Sequence, residues 1–407
     1  MNTLRIAMFT DSFHEVNGAA HTCRQYQLFA QRRGLPLLVV HSGGETQSFQ
    51  MGSVRTLELK RGPATFAVDA DFGFDPLLWR YSRRIREALT AFRPDVVHII
   101  SPGDFSILGA IWAHKLGIPI VGSFHTNLHE FASARLHKLL RILPAQQSRA
   151  ICRAVERACG RGLLKYYEIP RLLLAPNPEI RQWLERGTGR PSRLMRRGVD
   201  IELFHPSRRD TKEDGVFRLG YVGRLTREKN LRLLAELECA IKDSGRTQYR
   251  FVIVGQGSER TWLERNLHRA EFTGVLHGND LARAYANMDL FLFPSRTDAF
   301  GNVVQEALAS GTPAVVTDQG GPKFLINSGA TGYVAESDRD FIEKSISLMT
   351  DAETHRRMRL AARRSACAAS WDTVFEEVWK SYEICLQLRG KKAAAPRGAA
   401  LGSENAA

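Results

Sequence analysis

The sequence is poor in cysteine and has none at the spacing of a metal site or a redox pair. Its six cysteines form no CxxC pair and no cluster with histidine of the kind that binds zinc. We expect reduced thiols, because structural disulfides are rare in the reducing cytosol. The chain gives no sign of a disulfide-stabilised fold, and we predict no metal site and no cofactor.

Long apolar runs are missing as well. A helix that spans a bilayer needs about 20 predominantly apolar residues, and no stretch of the chain approaches that length. The first apolar run, LRIAMFT, ends at Asp11 and lacks the basic stretch and the long apolar block of a signal peptide. The sequence therefore predicts a cytoplasmic protein that does not cross the membrane.

Acidic residues are scarce in the first half only. Residues 1–200 hold 28 Lys and Arg against 16 Asp and Glu, or +12, whereas the whole chain carries +14, which leaves +2 for the remainder. An excess of positive charge favours an anionic partner such as nucleic acid or an anionic lipid surface. A solvated, arginine-rich surface explains the same excess, and composition alone leaves both interpretations open.

Short apolar segments alternate with helical segments along most of the chain. Runs such as IPIVGS and LFLFP are nearly continuous in apolar residues, as in parallel strands that are covered on both faces. Strands that alternate with helices predict a parallel sheet with helices on both sides. The pattern starts again after the arginine-rich RLMRRGVD, so a chain of 407 residues predicts two Rossmann-like α/β domains.

The boundaries follow from the same alternation. We assign residues 1–197 to the first domain and residues 198–370 to the second, and we expect a long helical region at 127–163. The amphipathic segment 371–389 predicts a terminal helix that returns to the first domain. Residues 390–407 are low in sequence complexity and predict a disordered tail.

The segment SRTDAFGNVVQEALASGTP, after the strand LFLFP, has a pattern that suits a nucleotide sugar. Gly301 and Asn302 open its helix, and backbone amides at the positive end of a helix dipole suit a diphosphate. Asp298 precedes the helix and Glu306 lies inside it, so the two can accept hydrogen bonds from a sugar and from a ribose. The alternative is an ordinary helix, with Asp298 near its cap and Glu306 solvated.

Two cations follow the first strand of the second half, in GYVGRLTREKN. Arg224 and Lys229 lie five positions apart across a turn, where they can bind a diphosphate and offset the charge that develops as it leaves. A pair of surface cations beside the Gly223 turn is the alternative interpretation.

Two loops of the first half add further candidates. Gly18, in TDSFHEVNGAA, removes a side chain at a helix start and lets the backbone approach a phosphate or a sugar closely. His125, in FHTN, follows the predicted strand IPIVGS and can hydrogen-bond a sugar. A plain turn and a structural histidine are the alternatives, and the structural role is stronger for His98, which lies inside a strand.

Two other motifs are discounted. VIVGQGSER has a GxG after a strand, but Arg260 stands where a dinucleotide fingerprint has its third small residue. The DxD strings Asp69–Asp71 and Asp338–Asp340 resemble a metal-binding triplet, yet neither follows a convincing buried strand. We interpret both strings as solvated loop acids.

Taken in order, six motifs resemble those of family 4 retaining glycosyltransferases with the GT-B fold. They are TDSFHEVNGAA, FHTN, RGVD, YVGRLTREKN, VGQGSE and FPSRTDAFGNVVQEALASGTPAVV, and the resemblance runs from about residue 4 to about residue 375. The last motif is highly specific, because it contains the E-x7-E element of the family at Asp298 and Glu306. Asp298 replaces the usual first glutamate, as in branches that resemble mannosyl-, glucosyl- and sulfoquinovosyltransferases.

The resemblance implies two facing Rossmann-like domains, with a nucleotide sugar such as GDP-mannose or a UDP-hexose held mainly by the second domain. It implies a retaining, metal-independent transfer in which Asp298 orients the sugar and the acceptor approaches from the basic first domain. Arg224 and Lys229 would bind the diphosphate, and His125 would lie by the transferred sugar. The other implied donor contacts are Gly18, Val275, Phe300, Gly301, Asn302 and Glu306.

The acceptor stays open between a lipid and a glycan. Basic residues interleaved with leucines crowd residues 135–161, which suits peripheral attachment to anionic lipid at the inner face of the membrane. A sugar-nucleotide epimerase or hydrolase of the same fold is one rival function, and a nucleic-acid-binding protein is another. Residues 135–165 hold no Phe, Tyr or Trp for base stacking, so we expect no nucleic-acid partner.

Overall fold

The structure, a computed structural model, describes residues 4–15, 18–69, 72–125, 157–210 and 214–388. Its contacts divide the chain into two compact units. The first unit comprises Met1–Leu194 with the residues from Trp379 onward, and the second comprises Met195–Val378. Most of the predicted helical region at 127–163, including its basic residues from 135 to 153, and the whole of the predicted tail lie outside the described residues.

An eight-stranded sheet forms the centre of the first unit. Its strands are β1 Ile6–Thr10, β2 Leu37–Gly43, β3 Gln47–Met51, β4 Val54–Lys60, β7 Val96–Ile99, β8 Ile120–Ser123, β9 Leu172–Ala175 and β10 Ser192–Leu194. Their order is β10-β9-β8-β7-β1-β2-β4-β3, and all neighbours are parallel except the antiparallel β3 and β4. A separate antiparallel pair consists of β5 Phe66–Asp69 and β6 Phe72–Phe74. The predicted parallel sheet is confirmed, with the addition of the β3–β4 hairpin.

The second unit contains a six-stranded sheet that is parallel throughout. Its strands are β11 Phe217–Val222, β12 Tyr249–Val254, β13 Ala270–Gly274, β14 Leu290–Phe293, β15 Ala314–Thr317 and β16 Gly332–Ala335. Their order is β13-β12-β11-β14-β15-β16. Two parallel-sheet, Rossmann-like units are therefore present, as the repeated alternation of strands and helices predicts.

Helices connect the strands in both units. Those of the first unit include Gly18–Arg32, Ser82–Phe92, Asp104–Lys115, residues 157–167 and Pro178–Thr188. Those of the second include Arg232–Asp243, Arg260–Asn266, Gly278–Asn287, Asn302–Ala309, Asp338–Thr350 and Ala352–Cys367. Among the described residues, no helix has both the length and the apolar character needed to cross a bilayer.

The central strands are apolar along their whole length because they are packed on both faces. Every residue of β14, with the sequence LFLF, and of β15, with the sequence AVVT, is buried. Full burial of a leucine or phenylalanine side chain contributes roughly 1.5–3 kcal/mol to stability. These strands fix the positions of the loops at their carboxyl ends, where the candidate site residues lie.

The last described helix, Trp371–Gln387, contributes its second half to the first unit. There it takes part in a buried chain of hydrogen bonds. The Tyr382 hydroxyl accepts from Tyr26 at 2.9 Å and lies 2.7 Å from Nδ1 of His98. Nε2 of His98 lies 2.5 Å from Oγ of Ser123, and burial lowers the pKa of this histidine to about 3. His98 is therefore a neutral structural histidine, as its place inside a strand predicts.

Candidate functional site

Each sheet reverses its strand order at one point, and ligands of open α/β sheets bind at the carboxyl ends of strands beside such a point. In the second unit the reversal lies between β11 and β14, since β12 and β13 continue on one side and β15 and β16 on the other. In the first unit it lies between β1 and β7. The loops after these strands hold several of the residues singled out from the sequence.

Lys229 and Asp298 meet across the reversal point of the second unit. Lys229 follows β11 and Asp298 follows β14, and the lysine Nζ lies 2.7 and 2.8 Å from the two carboxylate oxygens. The side chains are 11% and 24% exposed, so the pair is shielded but reachable from solvent. The fold thus joins two residues that the sequence places in separate loops. An anion that binds at this ammonium group has to share it with Asp298.

The loop that carries Asp298 is held on two sides. Oγ of Ser295 donates to the Asp298 carboxylate at 2.5 Å, and the Gly321 amide donates to the Asp298 carbonyl oxygen at 2.7 Å. A β-carbon on Gly320 would lie 2.8 Å from that carbonyl, and one on Gly321 would lie 1.9 Å from the carbonyl of Ala299. Ser295 and the glycine pair are absent from the site expected from the sequence, although adjacent glycines after a strand signal close backbone approach.

The helix Asn302–Ala309 begins without a side-chain cap. Gly301 occupies the N-cap position with a φ of +94°, a left-handed conformation that favours glycine. The Asp298 carboxylate bonds instead to Lys229 and Ser295. The alternative interpretation of Asp298 as a residue that caps the helix is therefore wrong, and within the described ranges no side-chain oxygen accepts from the first amides of this helix.

Glu306 lies inside the same helix and is not a solvated glutamate. Its Oε2 accepts a hydrogen bond of 2.8 Å from the hydroxyl of Tyr285, which is fully buried. Burial raises the pKa of the Glu306 carboxyl to about 7, and the hydrogen bond from Tyr285 opposes that rise. The carboxyl therefore keeps its proton to a higher pH than a solvated glutamate does. The interpretation of Glu306 as a solvated surface residue is wrong.

The loops after β11 and β12 interlock through their backbones. The Leu225 amide donates to the Gln256 carbonyl at 2.8 Å, and the Glu259 amide donates to the Leu225 carbonyl at 2.8 Å. A β-carbon on Gly257 would lie 2.2 Å from the Leu225 carbonyl oxygen, and one on Gly255 would approach the preceding loop as closely. The GxG of this segment thus permits the packing of two loops, which accounts for a glycine pattern without a dinucleotide site.

Three more predicted donor residues belong to the same unit. Arg224 is exposed, and its carbonyl oxygen accepts from the Tyr221 hydroxyl at 3.0 Å. Val275 follows β13 and is 56% exposed, which leaves an apolar side chain at the sheet edge in contact with solvent. Phe300 is buried next to Gly301. Arg224, Val275 and Phe300 thus lie in loops at the same edge as the ion pair.

Gly18 and His125 belong to the first unit. Gly18 is the first residue of the helix Gly18–Arg32, which follows β1. His125 follows β8 and is 8% exposed. The adjacent Phe124 packs against Tyr167, with ring centroids 5.6 Å apart, and this packing fixes the backbone that leads to His125.

A buried acid lies at the reversal point of the first unit and was not among the residues expected from the sequence. Asp11 follows β1 and accepts hydrogen bonds from the Phe105 amide at 2.8 Å and the Ser101 hydroxyl at 2.7 Å. Burial, and then the neighbouring Asp104, raise the pKa of Asp11 to about 7. Asp104 is itself paired with Arg61 at 2.7 and 3.0 Å. The available signal is that Asp11 and Ser101 each follow a predicted strand.

The second DxD string does not lie in a loop. Asp338 and Asp340 are in the first turn of the helix Asp338–Thr350, where acids are favoured by the helix dipole. Asp338 pairs with Arg296 and Asp340 with Lys344, each at 2.6 Å. The prediction that these two residues lie in a loop is therefore wrong, whereas the Asp338 side chain is 46% exposed to solvent. In the first string, Asp69 ends β5, and residues 70–71 lie outside the described residues.

The chain matches two family profiles. The profile described as Glycosyltransferase Family 4 matches residues 16–203, and the one described as Glycosyl transferases group 1 matches residues 216–351. A GDP-mannose-dependent alpha-mannosyltransferase of Mycobacterium tuberculosis is 35% identical over 319 residues, which cover 76% of this chain and 77% of the relative. The sulfoquinovosyl transferase SQD2 of Arabidopsis thaliana is 28% identical over 90% of this chain and 71% of its own.

Solved structures share the architecture at lower identity. The structure of a sucrose-phosphate synthase from Thermosynechococcus elongatus superposes with a TM-score of 0.69 at 18% identity. The match covers 94% of this chain and 99% of the other. At that identity the likeness shows the fold alone.

Proposed function

Because the chain belongs to family 4 of the glycosyltransferases and has the GT-B fold, we propose that it transfers mannose from GDP-mannose to a lipid or glycan acceptor. The relative named as a GDP-mannose-dependent alpha-mannosyltransferase, at 35% identity, supports this donor. A UDP-hexose is the second candidate, supported by the resemblance of the Asp298 motif to glucosyl- and sulfoquinovosyltransferase branches.

The observation that carries the proposal is the ion pair of Lys229 and Asp298 at the point where the strand order of the second sheet reverses. In the proposal, Lys229 and Arg224 bind the donor diphosphate together with the amides at the start of the helix Asn302–Ala309. Asp298 accepts hydrogen bonds from hydroxyls of the transferred sugar. A cation and an acid side by side suit a ligand that is anionic at one end and polar at the other.

We propose the remaining donor contacts from the positions of the residues in the two units. Glu306 binds the ribose, the exposed Val275 lies by the base, and Phe300 supports the turn that presents Gly301. In the first unit, Gly18 lets the backbone approach the donor, and His125 hydrogen-bonds the sugar.

The proposed transfer retains the configuration of the anomeric carbon. The bond between that carbon and the diphosphate oxygen breaks, and its electron pair leaves with the diphosphate. The acceptor hydroxyl oxygen forms the new bond on the same face, and its proton passes to the departing phosphate oxygen. Arg224, Lys229 and the helix amides stabilise the charge on the leaving group, the role that a divalent ion has in other transferases.

The acceptor side of the proposal rests on charge. Residues 1–200 carry a net +12, counted from 28 basic and 16 acidic residues, which favours an acceptor embedded in an anionic lipid surface. Flotation with anionic vesicles at low salt tests this part alone. Binding that is lost at high salt supports a membrane-associated acceptor, and no binding at low salt points to a glycan that is free in solution.

A thermal-shift panel with GDP, UDP and ADP, in the presence of EDTA, tests the donor proposal. A ligand at 100 times its Kd increases the free energy of unfolding by about 2.7 kcal/mol, which raises the melting temperature by about 5–10 °C. We expect GDP to give this shift and Arg224→Ala to abolish it. Arg250→Ala is the matched control, because Arg250 is exposed near the opposite end of β12.

The rival functions give different results in the same experiments. An epimerase or hydrolase of this fold also binds a nucleotide, but it converts the nucleotide sugar without any acceptor. A nucleic-acid-binding protein shows no shift with any nucleoside diphosphate. A shift with UDP instead of GDP would indicate a UDP-hexose as the donor and would leave the proposed reaction class unchanged.

A further inference from the structure

Two glutamates of the second unit each accept a hydrogen bond from a buried tyrosine, but they differ in their other partners. Glu238 accepts from the Tyr249 hydroxyl at 3.4 Å and from the backbone amides of His268 and Arg269 at 2.8 and 2.9 Å. Burial acts to raise the pKa of Glu238, but the bonds from His268 and Arg269 outweigh it and the pKa is lowered. A buried carboxylate with a structural role is normally satisfied in this way.

Glu306 has fewer partners than Glu238. Within the described ranges, the Tyr285 hydroxyl is the group that hydrogen-bonds its carboxyl, through Oε2 at 2.8 Å, and no lysine or arginine pairs with it. Burial raises the pKa of Glu306 to about 7, although the residue is only partly buried. An ionised carboxylate has roughly four acceptor positions. Oε1 of Glu306 can therefore accept hydrogen bonds from a ligand.

The Tyr285 hydroxyl that holds Glu306 has a fixed position. Tyr285 is fully buried, and its carbonyl oxygen accepts from the Thr312 hydroxyl at 2.9 Å. Its ring packs against the rings of Phe204 and Phe291, with centroids 5.6 and 5.7 Å away. Because the ring cannot move freely, the carboxylate oxygen that it bonds is fixed as well.

Glu306 lies close to the start of the helix Asn302–Ala309. It follows Asn302 by four residues, so the two share one face of the helix, about 6 Å apart along its axis. Side chains of a helix lean toward its N-terminus. The Glu306 carboxylate therefore lies toward the amides at which we propose the diphosphate to bind. In a nucleoside diphosphate the ribose adjoins the diphosphate and carries two hydroxyl donors.

We propose that Tyr285 is a positioning residue that makes the donor site selective for an intact ribose. Its hydroxyl holds Oε2 of Glu306, which leaves Oε1 directed at the 2′- and 3′-hydroxyls of the nucleotide. The inference rests on the proposed function, which assigns the ribose to Glu306. No contact between Tyr285 and the substrate is assigned.

The test compares GDP with 2′,3′-dideoxy-GDP, which lacks both ribose hydroxyls. Calorimetry gives the two Kd values for the wild type and for Tyr285→Phe, a variant that keeps the packed ring. A hydrogen bond to a charged group contributes about tenfold or more in affinity, so the wild type should prefer GDP by about that factor. We expect Tyr285→Phe to reduce the preference to less than about threefold, with the affinity for the analogue changed by less than about twofold.

Tyr249→Phe is the matched control. It also removes a buried tyrosine hydroxyl that bonds a glutamate, but Tyr249 begins β12 and so lies at the opposite end of the strand from the donor loops. The variant should keep the preference of the wild type for GDP. A second comparison adds Tyr285→Phe to Glu306→Gln. Because Tyr285 acts through the carboxylate, the double variant should show the same preference as Glu306→Gln alone.

An undiminished preference in Tyr285→Phe would overturn the inference. Equal losses of affinity for GDP and the analogue would overturn it too, since they indicate a structural role. A wild type that binds both equally would remove the ribose contact of Glu306 as well, and would leave the proposed transferase reaction standing. If UDP is the better ligand, UDP and its dideoxy analogue give the same comparison. Failure of the wild type to bind either GDP or UDP would contradict the proposed function instead.

Discussion

Lys229 and Asp298 hold each other at the edge of the second sheet, and each restricts what the other can do. The lysine ammonium contacts both carboxylate oxygens, and Ser295 adds a hydrogen bond to one of them. The aspartate therefore has a fixed direction and a balanced charge. Such a carboxylate suits orientation of a sugar better than attack on it, which agrees with a proposed mechanism in which Asp298 forms no covalent bond.

Replacing this carboxylate separates binding from turnover. In Asp298→Asn the lysine charge is released for the diphosphate while the sugar loses its charged acceptor. We expect kcat to fall by about 100-fold, with the donor KM changed by less than about threefold. Steady-state kinetics with the preferred nucleotide sugar measure both. Asp280→Asn, at an exposed helical position, is the control and should keep full activity. Full activity of Asp298→Asn would contradict the role proposed for this carboxylate.

Glu306 makes the stability of the second unit depend on pH. Its pKa is raised from 4.5 to about 7, so the folded protein binds the proton more tightly than the unfolded chain. The stability linked to this proton is fully present below pH 4.5 and is lost as the pH rises through 7. Between those values the free energy of unfolding of the wild type should fall by up to about 3 kcal/mol relative to Glu306→Gln.

Urea unfolding at pH 4.5, 6 and 8 measures this difference. The control is Glu343→Gln, because Glu343 is 59% exposed in a helix and pairs with Arg339. Its effect should stay within about 0.5 kcal/mol at every pH. A pH-independent difference between the wild type and Glu306→Gln would show that the carboxyl titrates normally.

At the residue level, the sequence predicts which loops hold the site but not how their side chains pair. Asp298, Arg224 and Lys229 can be found because each follows a predicted strand, where the sheet edge collects polar groups. The bond between Lys229 and Asp298 depends on β11 and β14 being neighbours, which no local pattern specifies. Ser295 lies inside a recognised motif, but its residue type does not mark it as a partner of Asp298.

Among the elements, strands with continuous apolar runs can be predicted directly from the sequence, whereas polar strands cannot. The strand β3, with the sequence QSFQM, is exposed at all five residues and pairs only at the edge of the first sheet. Because no residue of β3 is buried, its sequence has no alternation of buried and exposed positions that would predict a strand. The helix Pro178–Thr188 is marked instead by its start, where Asn177 accepts from the Ile180 amide and a proline follows.

The second half of the helix Trp371–Gln387 is tied to the first unit by its tyrosine hydroxyl. Tyr382→Phe removes a hydroxyl group that accepts from the Tyr26 hydroxyl and lies next to Nδ1 of His98. Both of these residues are buried. We expect a loss of about 1–3 kcal/mol in the free energy of unfolding, measured with urea. Tyr333→Phe, in β16 and only partly buried, is the control and should cost less than about 0.5 kcal/mol. Equal effects would show that the buried chain of hydrogen bonds contributes nothing.

For the molecule as a whole, the fold and the family could be predicted because the alternation of strands and helices occurs twice and the motifs appear in family order. The donor and the acceptor could not, since no residue pattern in the sequence separates GDP-mannose from a UDP-hexose or a lipid acceptor from a glycan. The charge asymmetry, +12 in residues 1–200 against +2 in the rest, is visible in the sequence and indicates only that the first half favours an anionic partner.

The most direct test of the central claim is transfer of labelled mannose from GDP-mannose in the presence of EDTA, with lipid and glycan acceptors supplied separately. NMR of the product gives the configuration at the new bond. The account predicts an acceptor-dependent product with the α configuration of the donor. An inverted product, release of free mannose at the same rate without acceptor, or loss of activity in EDTA would contradict it.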